Sequence, residues 1–444
     1  MNEAHQTGSD RRMQLVDLGR APPSPSRQSL RGLDWFVFFL ADAQVGFGPL
    51  IAVYLTAQKW TQADIGLVLT IGGLVALIGQ MPGGALVDAA RSERVVAAFS
   101  VVVLAASALM FALWPIFAVV LLAKVLHSAA SCVLGPAIGA ISLGLVGHAA
   151  VSDRFGRNAR FASLGAGFAA ISMGAIGYLV SNSAVFLITV ALCVPTLFAL
   201  AMIRSGEVDA ERAHGGRPAP HKGHPEEPLW SLARNRPLMV FAGCMVLFHL
   251  ANAAMLPLTA SVLTMRSSDS AAPLVAACIL VPQVVVAAFA PWVGRQAARV
   301  GRRPLLLFGF GALSIRGALL ALVDSPQALV AVQVLDGVSA TVLAVLVPLI
   351  IADVTRGTGH FNLAQGTVGT AVGIGASVSP FLAGYTTDYY GSATAFLGLA
   401  GLATAGFLSV LLFMPETGDG EAGPGSGQRE KRDILTQGGS SASV

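Results

Sequence analysis

Two short stretches, FFLADA at 38–43 and FHLANA at 248–253, decide the architecture of this chain because one repeats the other 210 positions later. Each stretch lies in a long apolar run, and Asn252 stands where the first copy has Asp42. Nearly the same shift, 209 positions, aligns KVLHSAASCVL at 124–134 with QVLDGVSATVL at 333–343. Separate matches at nearly one shift indicate a duplicated unit.

The composition excludes a soluble protein. Of the 444 residues, 54% are hydrophobic and 12% are charged, whereas soluble domains carry about 25% charged residues. The four cysteines lie inside apolar runs, without the spacing of a disulfide framework or of a metal site, so we predict no metal and no cofactor. The net charge of +4 does not suggest a nucleic-acid partner.

We predict an all-α integral membrane protein with twelve transmembrane helices in two repeat-related six-helix bundles, because apolar runs of membrane-crossing length recur along the chain. The predicted spans are 33–55, 64–88, 94–114, 116–147, 160–181, 183–203, 237–264, 271–294, 303–323, 326–352, 361–387 and 392–414. The fourth run is too long for one simple crossing. We expect either a bend at Pro136 or an end that projects into the cytoplasm.

The same runs define the domain organisation. We predict a disordered cytoplasmic head (1–32), an N-terminal bundle (33–203), a cytoplasmic linker (204–236), a C-terminal bundle (237–414) and a disordered cytoplasmic tail (415–444). His214 lies in the linker with two further histidines. Their spacing matches no ordered ligand motif, so we favour a solvated linker over a metal site.

Lysine and arginine positions predict the orientation. With both termini inside the cell, only Lys59 and Arg266 of the 28 Lys and Arg residues fall in outer loops, while Lys124 and Arg316 lie within spans. Cytoplasmic loops carry the excess of positive charge. We therefore predict cytoplasmic termini and a bacterial inner-membrane location.

Two loops resemble a motif of the major facilitator superfamily, a family of twelve-helix transporters with two six-helix halves. The family motif, G-x-x-x-D-R-x-G-R-R, lies between helices 2 and 3 and recurs weakly between helices 8 and 9. Here the first copy, GALVDAARSER at 84–94, keeps Gly84 and Asp88. The second copy, GRQAARVGRRP at 294–304, keeps the first glycine and the basic end of the motif: Gly294, Arg299, Gly301, Arg302 and Arg303.

This division suggests a cytoplasmic latch. The first copy lacks the basic residue, and Ala298 replaces the acid in the second. An acid at one helix end can pair with arginines of a neighbouring segment when the halves close. We predict that Asp88 pairs with the 299–303 cluster, although for the arginines a role in topology alone is an open alternative.

Polar residues inside the predicted spans mark candidate sites, since a charge at the bilayer centre costs about 2.5–3.5 kcal/mol on insertion scales. We assign proton coupling to Asp42, and we assign the substrate cavity to residues of spans 4, 7 and 10: Lys124, His127, His249, Asn252 and Gln333. In the family that the chain resembles, helices 1, 4, 7 and 10 line the central cavity. The histidines could instead be neutral core residues, and the amides could be interhelical hydrogen bonders.

Arg316 and Asp336 are predicted to form a structural ion pair. Arg316 lies about 20 Å above the cytoplasmic start of its span, and Asp336 lies about 15 Å below the outer start of its own. In a core about 30 Å thick, their depths differ by about 5 Å, within the reach of an arginine side chain.

The chain contains no G-x-x-x-x-G-K-[ST] phosphate loop, so we predict neither ATP hydrolysis nor enzymatic activity. The resemblance implies a secondary transporter that works by alternating access in the bilayer, as a monomer, on a small molecule. We favour proton-coupled efflux. Proton-coupled uptake of an anionic or zwitterionic metabolite stays open, as does a non-transporting receptor or sensor on the same scaffold.

Overall fold

The structure is a computed structural model that describes residues 25–45, 51, 54–55, 58–181, 183–216, 234–266 and 271–418. Among these residues the regular structure is helical. The helices are α1 Arg27–Val45, α2 Gln62–Asp88, α3 Glu93–Leu113, α4 Phe117–Leu179, α5 Ala184–Ala201, α6 Ala210–Ala213, α7 Arg236–Asn252, α8 Met255–Arg266, α9 Ala271–Val300, α10 Arg302–Leu322, α11 Pro326–Val354, α12 Phe361–Tyr390 and α13 Ser392–Phe413.

Ten helical segments in the described ranges are long and apolar enough to cross a membrane. One of them, α4, is two crossings joined at Gly147, and α1 supplies one more, which gives the twelve predicted helices. The predicted fourth span (116–147) ends where the structure divides α4, but the helix is not broken at Pro136. The helix continues through Pro136, whereas Gly147 has φ 65°, a left-handed conformation that glycine adopts without a Cβ clash.

Several helices begin at residues that cap their free N–H groups. Thr61 and Asn235 accept hydrogen bonds from backbone N–H groups three residues ahead, and Ser325 does so before Pro326. The first helix begins at Arg27, so the end of the segment predicted as a disordered head is helical. The caps fix where each segment leaves its loop.

The N-terminal half consists of α1–α5 and the C-terminal half of α7–α13. Arginines concentrate where α1, α7 and α10 begin and α9 ends; we call this side of the molecule the basic face. The N-terminal half has an apolar core of its own, and the core of the C-terminal half also includes residues of α4: Leu143, Val151, Phe155 and Ala159. The halves touch through α2 against α12 and through α4 against α9, α11 and α12.

Small residues allow the two halves to approach at the basic face. A Cβ on Gly84 would overlap the carbonyl oxygen of Asn362, and one on Gly156 would lie 2.6 Å from the carbonyl oxygen of Ala290. Small residues of this kind let helix backbones pack closely in a membrane. Farther from this face, α2 and α12 are separated by a cavity of about 250 Å³ that Gly73 and Ser377 help to line. The halves are therefore in contact at the basic face.

Candidate functional site

A buried arginine joins three helices of the C-terminal half. Arg316 in α10 donates from Nη1 to Oδ1 of Asn252 in α7 and to Oδ1 of Asp336 in α11, each at 2.6 Å. Its Nη2 donates to Oε1 of Gln333 at 2.8 Å. The Arg316 residue is 0% exposed, and the Asp336 side chain is 18% exposed. The structure thus brings together Arg316 and Asp336, which were predicted to pair because they lie at similar depths, and it adds two amide acceptors.

This network changes the predicted roles of the two amides. Gln333 was expected in the substrate cavity, but it is fully buried and its oxygen accepts from Arg316. A side chain without exposed surface cannot meet a substrate, so Gln333 belongs to the ion-pair network instead. Asn252 also accepts from Arg316, but it is only half-buried and keeps some free surface.

The N-terminal half places its cation differently. Lys124 is half-buried in the first arm of α4 (117–146), and its side chain lies against Gly72 of α2. Among the described residues, no carboxylate lies within ion-pair distance of its ammonium group. His127, one turn along, is 7% exposed, and its Nε2 lies 3.5 Å from Oγ of Ser131. The side chain of Asp42 lies outside the part of the chain that the structure describes.

The repeat relates these two halves position by position. The shifts that align the sequence place Asp42 at Asn252, Lys124 at Gln333 and His127 at Asp336. In the C-terminal half the cation comes from the third helix of the repeat, as Arg316. At the matching positions α3 has Ala106 and Ser107, so in the N-terminal half the central cation lies on α4.

His249 lies between two helices of the C-terminal half. It is half-buried in α7, and its Cβ packs where α12 has Gly375. Its ring meets that of Phe248 edge-on at 5.4 Å. This position faces the α7–α12 contact, one turn away from Asn252.

The latch that we predicted has a different partner. Asp88 ends α2 and accepts hydrogen bonds from the backbone N–H groups of Asn362 (3.2 Å) and Leu363 (2.7 Å) at the start of α12. The Asn362 side chain donates a third at 2.8 Å. Unpaired N–H groups and the helix dipole make a helix N-terminus attractive to a carboxylate. Asp88 therefore does cross between the halves, but the predicted pairing with the 299–303 cluster is wrong.

The arginines of the second motif copy bind within their own half. Arg302 donates from Nε to Oδ2 of Asp353 at 2.9 Å, and Arg303 donates to the carbonyl oxygen of Leu411. Gly301 (φ 95°) precedes α10, and Arg299 is exposed. Within the second motif copy, Gly294 takes part in closing the halves, since a Cβ there would lie 2.5 Å from the carbonyl oxygen of Ser152.

A second buried ion cluster escaped the sequence analysis. Asp34 in α1 accepts from Nη2 of Arg154 (2.5 Å) and from Nη2 of Arg157 (2.6 Å), both in the second arm of α4 (148–179). Arg154 also donates to Asn158, whose Nδ2 donates to Ser142. An acid at the very start of the first span, together with the basic run 154–160, was the available signal.

The start of the linker packs onto the basic face. His214, expected in a solvated segment, has Nε2 3.1 Å from Oε1 of the buried Glu93, and its carbonyl oxygen accepts from the N–H of Phe361 in the C-terminal half. The N–H of Gly357 donates to the carbonyl oxygen of Gly215. The described part of the linker thus adds contacts between the halves, beside Asp88.

Comparisons with known proteins agree with this architecture. A family model described as Major Facilitator Superfamily matches residues 35–287 and 267–439. Two uncharacterized MFS-type transporters, from two strains of Mycobacterium tuberculosis, are each 41% identical over 397 residues, covering 88% of this chain and 94% of theirs. The crystal structure of the human organic anion transporter MFSD10 (TETRAN) has a similar fold, with a TM-score of 0.65, 17% identity, and coverage of 87% of this chain and 100% of that one.

Proposed function

Because the chain belongs to the major facilitator superfamily, whose members carry solutes across membranes, we propose that it is a proton-coupled exporter of a small anionic or zwitterionic molecule. The observation that carries this proposal is the unequal use of charge in the two repeats. In one half the central charges neutralise each other. In the other half a central lysine has no carboxylate partner among the described residues.

The C-terminal half acts as the static wall of the transport path. Arg316 is fully buried and donates from its two Nη atoms to Asp336, Asn252 and Gln333, while its Nε has no partner among the described residues. This network joins α7, α10 and α11. The charge of Arg316 is therefore not available to a substrate. What this half offers to the path is the exposed part of Asn252, with His249 one turn away.

The N-terminal half carries the exchangeable charges. Lys124 attracts the negative group of the substrate, and Asp42, the repeat counterpart of Asn252, carries the proton. A proton on Asp42 and an anion beside Lys124 affect each other's binding through the same local field, which gives reciprocal coupling between the two ligands. His127 shares one helix face with Lys124 and contributes a second polar contact.

The contacts at the basic face supply the gate. We place this face in the cytoplasm of a bacterial cell, because it carries most of the arginines. Asp88 on the α12 N-terminus, and the glycine contacts at 84, 156 and 294, then hold the cytoplasmic side closed. Release of these contacts opens the path from the cytoplasm, as rocking of two halves requires.

An anionic substrate class is consistent with a cationic centre at Lys124. The human protein with a similar fold is an organic anion transporter. That likeness extends to the fold alone, so the substrate class here depends on Lys124 and not on the relative.

The test uses purified protein in proteoliposomes. A thermal-shift screen of organic anions and zwitterions first identifies a ligand, since binding to the folded state raises its stability. In wild type we expect a proton gradient to drive accumulation of that ligand, with ligand and protons moving in opposite directions. Asp42→Asn should bind and exchange the ligand without gradient-driven accumulation. Asp388→Asn, an exposed acid at the end of α12, is the matched control.

The outcomes separate the alternatives. Undiminished substrate-linked proton movement in Asp42→Asn refutes Asp42 as the proton carrier. Accumulation in the direction of the proton gradient, from the outer side inwards, identifies an uptake permease instead of an exporter. Ligand binding without any flux identifies a receptor on this scaffold.

A further inference from the structure

An arginine-walled cleft opens on the basic face beside α1, away from the central site. Its volume is about 430 Å³, and half of its wall residues are arginines: Arg27, Arg31, Arg154 and Arg157. The wall contains one acid, Asp153. Asp34 lies behind the wall and is shared by Arg154 and Arg157. The cleft therefore retains an excess of positive charge.

The hydrogen bonds show which of these arginines are available to a ligand. Arg154 is committed, because its Nε, Nη1 and Nη2 donate to Asn158, to the carbonyl oxygen of Leu30 and to Asp34. Arg157 uses Nε and Nη2 on Asp34, and its Nη1 has no partner in the described part of the chain. Arg27 and Arg31 are exposed, and neither has a partner among the described residues. Three guanidinium groups can thus donate into one cleft.

An aromatic groove continues from the cleft towards the middle of the helices. The guanidinium of Arg157 lies 5.7 Å from the ring centre of Phe161, which meets Trp35 edge-on at 6.1 Å. Farther along, the ring centres of Phe38 and Phe168 are 6.1 Å apart. Trp35 is 45% exposed and Phe168 is 55% exposed, so the groove between α1 and the second arm of α4 has a large apolar surface.

The groove faces the bilayer and not the space between the halves. At this level another side of the second arm of α4 faces the C-terminal half, since Gly156 packs against Ala290 of α9 and Ser163 donates to Gln283. The exposed residues Arg157 and Leu164 lie on the other side of the same helix. A charged cleft at a helix end, followed by an exposed aromatic groove, matches the two parts of a phospholipid.

We propose that this cleft binds one anionic phospholipid of the leaflet at the basic face, with its phosphate between Arg27, Arg31 and Arg157 and its acyl chains along Trp35 and Phe168. Guanidinium groups suit this ligand because they donate several hydrogen bonds to phosphate in a fixed geometry. The bound lipid would bridge α1 and the second arm of α4, beside the Asp34 cluster.

The test compares bound lipids by native mass spectrometry in mixed micelles that hold phosphatidylglycerol and phosphatidylcholine in equal amounts. We expect wild type to retain one phosphatidylglycerol selectively. Each basic residue near a lipid surface contributes enough to change binding about five-fold, so Arg27→Gln/Arg31→Gln should lower the selective retention about twenty-five-fold. The matched control is Arg91→Gln/Arg295→Gln, which removes two exposed arginines elsewhere on the basic face.

A second variant and a competitor separate a lipid from a soluble anion. Trp35→Ser should weaken retention of phosphatidylglycerol while leaving the arginines in place. Inorganic phosphate at millimolar concentration should not displace the lipid. Equal selectivity in the Arg27→Gln/Arg31→Gln variant and the control overturns the proposal, and so does displacement of the lipid by inorganic phosphate, which would assign the cleft to a soluble anion.

Discussion

Substituting Asp336 by asparagine tests the buried network of the C-terminal half most directly. The change keeps the shape of the side chain but removes the charge that faces Arg316 at 2.6 Å. Arg316 is fully buried and stays charged, with only the oxygens of Asn252 and Gln333 left as strong acceptors. Breaking a buried pair in this way costs about 3–5 kcal/mol in soluble proteins. We expect a loss of that size here.

The measurement is the apparent melting temperature of purified protein in detergent. One kcal/mol corresponds to about 2–4 °C for a folding unit of 150–250 residues, the size of one half of this chain. Asp336→Asn should therefore melt roughly 6–20 °C below wild type. The exposed Asp388→Asn is the control and should melt within about 1–2 °C of wild type, since exposed substitutions usually change stability by less than 0.5 kcal/mol.

A double substitution separates the loss of a charge from the loss of a contact. In Arg316→Met/Asp336→Leu neither charge remains, and replacing a buried pair by apolar groups is often neutral or stabilising. This variant should recover most of the melting temperature lost in Asp336→Asn. An unchanged melting temperature in Asp336→Asn, or a double variant as unstable as the single one, would show that the pair does not hold α10 to α11.

Three further predictions concern the basic face. Asp88→Asn removes a charged acceptor from two N–H groups of α12 and should lengthen the distance between spin labels at 91 and 360, by opening the basic face; an unchanged distance distribution would contradict the gate. Gly156→Val places a side chain against the carbonyl oxygen of Ala290 and should open the same face, whereas Gly398→Val, where no atom lies within 4 Å of a Cβ, should not. Although desolvation acts to raise the pKa of Glu207, hydrogen bonds from Ser26 and Ser29 and the charge of Arg204 lower it overall. Its carboxylate therefore stabilises the folded state at pH values above the ordinary glutamate pKa of about 4.3. This stability is lost as the pH falls through the lower pKa of the folded state, so the melting temperature should fall at acidic pH, and Ser26→Ala should make that fall smaller.

Periodicity and depth were sufficient to predict the fold and one ion pair. The repeat gave the two halves because matching phrases recur at one shift, and Arg316 and Asp336 met because a helix rises by a fixed length per residue. The same reasoning placed Gln333 in the cavity, because a helix face can be assigned from spacing but not the neighbour that covers it. Only the packing of α10 shows that Arg316 occupies this face.

The partner of Asp88 could not be found by matching charges in the sequence. Two of its hydrogen bonds come from backbone N–H groups, which every residue except proline carries, and the third comes from the neutral side chain of Asn362, so no opposite charge marks the site. The bend expected at Pro136 is a separate case, since the fourth span was predicted to end at 147 and the structure divides α4 at Gly147. Pro136 is visible in sequence as a helix breaker, but the helix accommodates it, and the turn uses the backbone freedom of Gly147.

The clusters within each half and the contacts between the halves differ in kind, and this difference supports rigid-body motion. Asp34 binds two arginines between α1 and α4, and Arg316 joins α7, α10 and α11; breaking either cluster leaves a buried charge without its partner, at about 3–5 kcal/mol. Between the halves, Asp88 accepts hydrogen bonds from neutral N–H groups of Asn362 and Leu363, and side chains of α4 such as Phe155 pack into the core of the C-terminal half. Asp88 is only half-buried, so water can replace these donors when the halves part, and no buried ion pair among the described residues is broken. The two halves can therefore separate at the basic face while each keeps its internal ion cluster.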